Sequence, residues 1–183
     1  MIKMIDIINE GNARKNDYGC VMLFFDYPQL FKVQDAINPK DLYEENDDDS
    51  YGLEDEPHVT LLFGLHPEVT TEQVTEIIDG LTFSRCELHN PSLFENEKYD
   101  VFKFDVKGSS LFTANKKLRE LPFTSDFPDY HPHMTIAYLN PGMGDKYVKM
   151  LDKSKNDNHF IKPKQVVYSK VDGTKEIFKI KVY

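Results

Sequence analysis

Pro57-His58-Val59-Thr60-Leu61-Leu62-Phe63-Gly64-Leu65 and Pro132-His133-Met134-Thr135-Ile136-Ala137-Tyr138-Leu139 repeat one pattern: proline, histidine, apolar, threonine, apolar. Each reads as a strand, over His58 to Leu65 and His133 to Leu139, because a short run of branched and aromatic residues packs well on a pleated surface. Side chains two apart on a strand share a face, so His58 stands beside Thr60 and His133 beside Thr135. Val59, Leu61, Met134 and Ile136 then turn the other way, into a core. Of the six histidines, only these two have a threonine or serine two places on. A single such triplet arises easily by chance; two in the same apolar setting point to a duplicated architecture.

Working outward, Tyr18 to Asp26 reads as a strand apolar on both faces and hence central. Pro28 opens a short helix to about Ile37, with Leu30, Phe31, Val33 and Ile37 on one side. Residues 38–57 read as a linker-like acidic loop that stays mobile unless it covers something. Thr70 or Thr71 caps a helix ending near Gly80. Phe83 to Leu88 and Tyr99 to Val106 are strands; the second places Val101, Lys103 and Asp105 on one face and Phe102, Phe104 and Val106 on the other. Ser109 or Ser110 caps a helix to about Leu121, with Leu111, Phe112, Leu118 and Leu121 as its buried stripe. Residues 145–152 form another helix, and Val166 to Val171 and Glu176 to Val182 flank Asp172-Gly173 as a hairpin. Strands joined partly by helices and partly by hairpins predict one α+β domain over residues 1–183 with antiparallel sheet.

Composition narrows the function classes. Thirteen Phe and ten Tyr among 183 residues supply a hydrophobic interior. Cys20 and Cys86, the two cysteines, read as buried thiols of a reducing compartment, not as a disulfide framework. No apolar run approaches membrane-spanning length, so the expectation is a cytoplasmic protein with no membrane partner. A net charge of −9 opposes binding of long nucleic acid. The basic excess of residues 101–183 reads on charge alone as solvated faces with no target, or else as a local surface suited to a small anion.

Two imidazoles and two hydroxyls on facing platforms fit phosphodiester cleavage. In-line displacement removes one proton from the attacking oxygen and delivers another to the leaving oxygen, and imidazole does either near neutrality. Threonine hydroxyls donate to the non-bridging oxygens, where charge gathers in the transition state. The scheme needs neither metal nor cofactor. The candidate catalytic residues are therefore His58, Thr60, His133 and Thr135.

The paired H-x-T motifs resemble the signature of the 2H phosphoesterase superfamily, which includes RNA 2′,3′-cyclic phosphodiesterases and 2′-5′ ligase-like proteins. The resemblance implies a bilobal fold with pseudo-twofold duplication and the two motifs in a central cleft. The whole chain, including DIINEGNARKNDYGC at its N-terminal end, further resembles the tailed-phage anti-CBASS nucleases of that group. That narrower likeness implies cyclic di- and trinucleotide signals as substrates, cleaved by a ribose 2′-hydroxyl with a 2′,3′-cyclic phosphate as first product, in host cytoplasm. It also implies an aromatic and an acidic nucleobase contact, for which Tyr18 and Glu176 are the nearest candidates. As structural roles, Tyr18 serves equally as sheet packing and Glu176 as a hairpin surface charge.

Three other readings compete. His131 and His133 with His66, Glu68 or His89 are a possible metal set, opposed by Pro132 and by the lack of any HExxH or cysteine pair. A non-catalytic cyclic-nucleotide sponge explains the pocket but not two groups that titrate near neutrality. An RNA 2′,3′-cyclic phosphodiesterase uses the same four residues on a different substrate. No GxSxG and no glycine-rich phosphate loop occurs.

Overall fold

A computed structural model describes residues 17–45, 50–152 and 159–183. Most of the N-terminal stretch quoted above, and residues 46–49 of the acidic run, lie outside the described residues. The elements are β1 (Gly19–Asp26), α1 (Gln29–Gln34), a 3₁₀ turn (Pro39–Asp41), β2 (His58–Leu65), α2 (Thr71–Asp79), β3 (Thr82–Phe83), β4 (Cys86–Glu95), β5 (Asp100–Lys107), α3 (Ser109–Leu118), β6 (His133–Leu139), α4 (Gly144–Asp152), β7 (His159–Ser169), β8 (Lys175–Lys179) and β9 (Lys181–Val182).

The strands follow one path, β2-β1-β7-β4-β5-β6, with β8 added to β7. Every pair along it is antiparallel; only the two-residue β3–β9 pair is parallel. This is the expected α+β architecture. Strand β7 joins the halves: His159–Ile161 pair with β4, and Lys162–Ser169 pair with β1. One core lies under both halves and takes in Val59 and Leu61 of β2 together with Met134 and Ile136 of β6. Among the described residues, no helix is long and apolar enough to cross a membrane.

Several expectations are corrected, each for a local reason. Strand β4 continues to Glu95, through Pro91, and β7 begins at His159, through Pro163. Both prolines sit at register shifts, where a missing N–H costs no ladder bond. Helix α3 is capped by Gly108 with no side-chain hydrogen bond, so Ser109 is its first residue and not its cap. Its buried stripe is Leu111, Ala114, Asn115 and Leu118 at i, i+3, i+4, i+7 spacing, and Phe112 is exposed. Helix α1 is short, with Phe31 exposed and Gln34 buried in its place. Helix α2 meets expectation, with Thr70 and Gln73 forming a reciprocal capping box.

Segment 38–57 covers an edge. Leu42 and Leu53 bridge to Leu139 and Ala137 of β6. Tyr43 N donates to Tyr138 O at 3.0 Å, and Tyr138 N donates to Gly52 O at 2.8 Å. Tyr43 and Tyr51 pack on Tyr99, Val101 and Tyr138. The described parts of the acidic run are thus held by strand-type hydrogen bonds and ring packing, which outweigh the repulsion among their charges.

Candidate active site

The two motif strands are built alike, beginning with their entry. Phe25 N donates to Pro57 O and Val106 N to Pro132 O, both at 2.9 Å, so each proline carbonyl is tied to the neighbouring strand. Then each histidine is fixed by the carbonyl two residues upstream. His58 Nδ1 lies 2.8 Å from Glu56 O, and His133 Nδ1 lies 2.9 Å from His131 O. A carbonyl only accepts, so Nδ1 carries the proton in both rings, the tautomer that puts the lone pair of a neutral imidazole on Nε2.

Each motif strand also bulges three residues after its histidine. Thr60 pairs with Met22 and Leu62 with Val21, leaving Leu61 as the extra residue. Thr135 pairs with Lys103 and Ala137 with Phe102, leaving Ile136 extra. A bulged residue loses its ladder partner, and its buried carbonyl needs another donor. Asn115 Nδ2 of α3 donates to Leu61 O at 2.7 Å, and Gln34 Nε2 of α1 donates to Ile136 O at 2.8 Å. Both amides are buried. Past the bulge the faces realign, sending Phe63 and Tyr138 away from the main core.

These strands are the two ends of the sheet path, and they come together. Cα atoms of β2 and β6 approach within 8 Å. Leu65 bridges antiparallel to Phe123, and Leu53 antiparallel to Ala137. Stretches 52–66 and 122–139 therefore run past one another in opposite directions, with His58 and His133 near the middle. Gly64, at φ +100°, permits the approach: a Cβ there would lie 1.8 Å from Thr124 O. Tyr130 Oη donates to Thr60 O at 3.0 Å, tying the approach to the second motif onto the first. Since Val59, Leu61, Met134 and Ile136 share one core, the four motif side chains stand on the opposite side of their strands. The structure thus sets His58 beside Thr60 and His133 beside Thr135, away from the core, on two strands that pack against each other.

The flanking chemistry differs between halves. Beside the first motif, His58 stacks on Phe24 at 5.4 Å, and Met22, Phe24, Cys20, Val167 and Phe63 form an apolar floor. Beside the second, Asp105 is opposite His133 and Lys103 opposite Thr135. Lys103, 4% exposed, donates from Nζ to Asp105 Oδ1 at 2.6 Å and to Ser92 Oγ at 2.7 Å. It lies 4.1 Å over the Phe94 ring, which meets His133 edge-on at 5.0 Å. Burial pushes the Asp105 carboxyl up, but Lys103, Ser92 and His133 together hold it below the usual carboxylate range. Sequence reasoning put Lys103 and Asp105 on one face yet gave them no role. Their signal was the pair of charges on a strand otherwise rich in aromatic and branched residues.

The remaining candidates fall elsewhere. Tyr18 packs edge-on against Phe63 at 6.2 Å and lies 6.0 Å from the His66 ring, at the far end of the apolar floor. Glu176 is opposite Tyr168, which faces the core and donates from its hydroxyl to Val69 O. The Glu176 carboxylate is engaged by Lys170 at 3.2 Å. Of the residues weighed as metal ligands, His66 bonds Thr124 Oγ1 at 2.8 Å and Glu68 at 3.3 Å, at the end of β2 remote from His58. Among the described residues, no three His, Cys, Asp or Glu side chains cluster in a metal-holding arrangement. Cys20 and Cys86 are buried thiols outside any disulfide; burial pushes the Cys86 thiol up to about 12, which suits packing and not nucleophilic attack.

A family model described as the 2′-5′ RNA ligase superfamily matches residues 30–173. Among solved structures, Kluyveromyces marxianus Usb1 is similar at 10% identity, with 90% of this chain and 98% of that chain covered and a TM-score of 0.54. The same protein with uridine monophosphate gives 9% identity, 90% and 99% coverage and a TM-score of 0.51. Escherichia coli LigT complexed with 3′-AMP matches at 14% identity, 90% and 96% coverage and a TM-score of 0.42. No curated protein sequence matches the chain.

Proposed function

This chain belongs to the 2′-5′ RNA ligase superfamily, the 2H phosphoesterases, and from that premise we propose that it is a metal-independent phosphodiesterase acting on cyclic di- and trinucleotides. The observation that carries the reading is the matched anchoring of the two imidazoles. Both rings are held through Nδ1 on strands that pack against each other, and two imidazoles so held serve one in-line displacement. Thr60 and Thr135 donate to the non-bridging oxygens of the scissile phosphate. A ribose 2′-hydroxyl attacks the neighbouring 3′-5′ phosphodiester, giving a linear product that ends in a 2′,3′-cyclic phosphate.

The preference for a small cyclic substrate rests on the anti-CBASS resemblance and on charge. The chain is acidic overall, and its acidic segment is pinned beside β6, so a long polyanion is repelled while a compact dinucleotide is admitted. The proposal places the whole chain in one 2H domain, duplicated around the cleft, working in the cytoplasm of a phage-infected host against cyclic-nucleotide immune signals. Of the two suggested nucleobase contacts, Tyr18 is better placed, sharing with Phe63 the floor that leads to His58. Glu176 contributes only if its bond to Lys170 opens.

A second reading, action on RNA 2′,3′-cyclic ends, draws support from a similar fold being solved with a single uridine nucleotide. One panel separates the two: cyclic di- and trinucleotides, nucleoside 2′,3′-cyclic phosphates and short RNA, each incubated in EDTA with products identified by mass. The proposal expects the cyclic dinucleotide to give a linear isomer of equal mass, then its hydrolysed form. Turnover of the nucleoside 2′,3′-cyclic phosphates alone would favour the second reading. Recovery of every ligand unchanged would favour a sponge.

A further inference from the structure

The two histidines share a backbone setting but not an electrostatic one. Around His133, β5 contributes Asp105 directly across the ladder and Lys103 opposite Thr135. Strand β4 contributes Ser92 and Phe94, both uncharged. The approaching chain contributes His131 through its carbonyl, and β2 brings His58 from the other half. Around His58, β1 contributes Met22 and Phe24, and β7 contributes Val167 and Gln165 behind them. The charges on those strands near Phe24 are Lys164, left between the partners of Phe24 and Phe25, and Asp26 opposite Lys162. Glu56, on the approach, is held through its carbonyl.

One in-line displacement needs one imidazole to enter with an extra proton and the other without it. The surroundings decide which ring keeps it. A carboxylate across the ladder favours the cation at His133, whereas His58, 3% exposed and stacked on Phe24, has that ring and no carboxylate opposite it. Lys103 opposes this bias, but it stands opposite Thr135, and its hydrogen bonds to Asp105 and Ser92 keep the carboxylate ionised and aimed.

We propose that Asp105, held by Lys103, makes His133 the proton donor and leaves His58 as the proton acceptor. The assignment rests on the phosphodiesterase reading of the same cleft. In the forward step, His58 Nε2 takes the proton of the ribose 2′-hydroxyl as the O2′–P bond forms. The P–O5′ bond breaks, and the proton on His133 Nε2 passes to the departing O5′. The products are a 2′,3′-cyclic phosphate and a free 5′-hydroxyl, and proton exchange with solvent resets both rings. Asp105 touches neither substrate nor reacting atom; it is a positioning residue that acts through His133.

The test compares a dinucleotide with a uridine 3′-(4-nitrophenyl phosphate), whose leaving group departs without a proton. On the dinucleotide, His58→Ala and His133→Ala each lose about 10²–10⁴-fold. On the nitrophenyl ester, His133→Ala recovers to within about tenfold of the unaltered protein, while His58→Ala keeps its full loss. Asp105→Asn, which retains shape and the bond to Ser92, slows the dinucleotide alone, and its alkaline pH limb moves to lower pH because the acid form of His133 has lost its support. The two histidine variants decide the assignment even if Asp105→Asn folds poorly. Recovery of His58→Ala in place of His133→Ala, or equal losses on both substrates, overturns it. An unaltered protein that cleaves neither substrate refutes the phosphodiesterase reading itself.

Discussion

The β1–β2 half and the β5–β6 half carry the same backbone device with different side chains around it. Both enter the motif on a proline carbonyl bonded to the adjacent strand, both fix Nδ1 on the carbonyl two residues back, and both bulge at the third residue after histidine. Both feed the bulge carbonyl from a buried helix amide, Asn115 for Leu61 and Gln34 for Ile136. The positions facing the motifs then diverge: Met22 and Phe24 in one half, Lys103 and Asp105 in the other. A repeated backbone holds the two imidazoles in the same way. On the proposal above, unequal neighbours give those imidazoles unequal tasks.

Removing either ring breaks the comparison outright. His58→Ala and His133→Ala are each expected to cost about 10²–10⁴ in turnover of a dinucleotide while thermal unfolding is little changed. Thr60→Ala and Thr135→Ala should each cost less than either histidine change in the same assay, since each removes a hydrogen-bond donor and not a proton carrier. Equal losses at all four positions would contradict the division between proton transfer and charge stabilisation.

The supports of the repeated backbone come next. Asn115→Ala and Gln34→Ala leave buried carbonyls without their donors, and each should lower stability by about 1–3 kcal/mol by chemical denaturation. Because each carbonyl belongs to the residue after a motif threonine, activity should fall further than the unfolded fraction explains. If both variants kept full activity per folded molecule, the bulges would have no part in aiming the motifs. Gly64→Ala belongs with these: its Cβ would collide with Thr124 O, forcing β2 and the 122–124 segment apart and loosening the meeting of the two motifs.

The smallest effect sharpens the contrast between the halves. The Asp105 carboxyl is held below its ordinary range in the folded protein, so it contributes stability above its unfolded value, about 3.9. That contribution is lost as pH falls through the lower folded value. Asp105→Asn should therefore unfold with a shallower dependence on acid below about pH 4, measured by thermal melts across pH. An unchanged acid limb would mean that the Lys103–Asp105 pair is no firmer in the fold than in the unfolded chain.

Much of this was legible in the sequence because strand alternation is local. The i, i+2 spacing placed each histidine beside its threonine, and the apolar residues between them went to the core as expected. Alternation also set Lys103 and Asp105 on a common face. The bulges were not legible, since an extra residue is defined only by the register of the partner strand. Pro91 and Pro163 hid the true lengths of β4 and β7 for the same reason: a proline at a bulge looks in sequence like a strand end. Gln34 read as a polar interruption of an apolar stripe until Ile136 O gave it a partner 102 residues away. The acidic segment misled because its charges are conspicuous, while the residues that hold it, Leu42, Tyr43, Tyr51 and Leu53, are scattered among them.

The claim beneath all of this is that both Nε2 atoms serve one phosphate. Protein labelled with ¹⁵N in its histidine rings, titrated with a dinucleotide lacking the attacking 2′-hydroxyl, tests it without turnover. The account predicts that the Nε2 signals of His58 and His133 move together along a single saturation curve, while their Nδ1 signals stay bonded to the carbonyls of Glu56 and His131. Movement of one ring alone, or of the two at separate ligand concentrations, would contradict it.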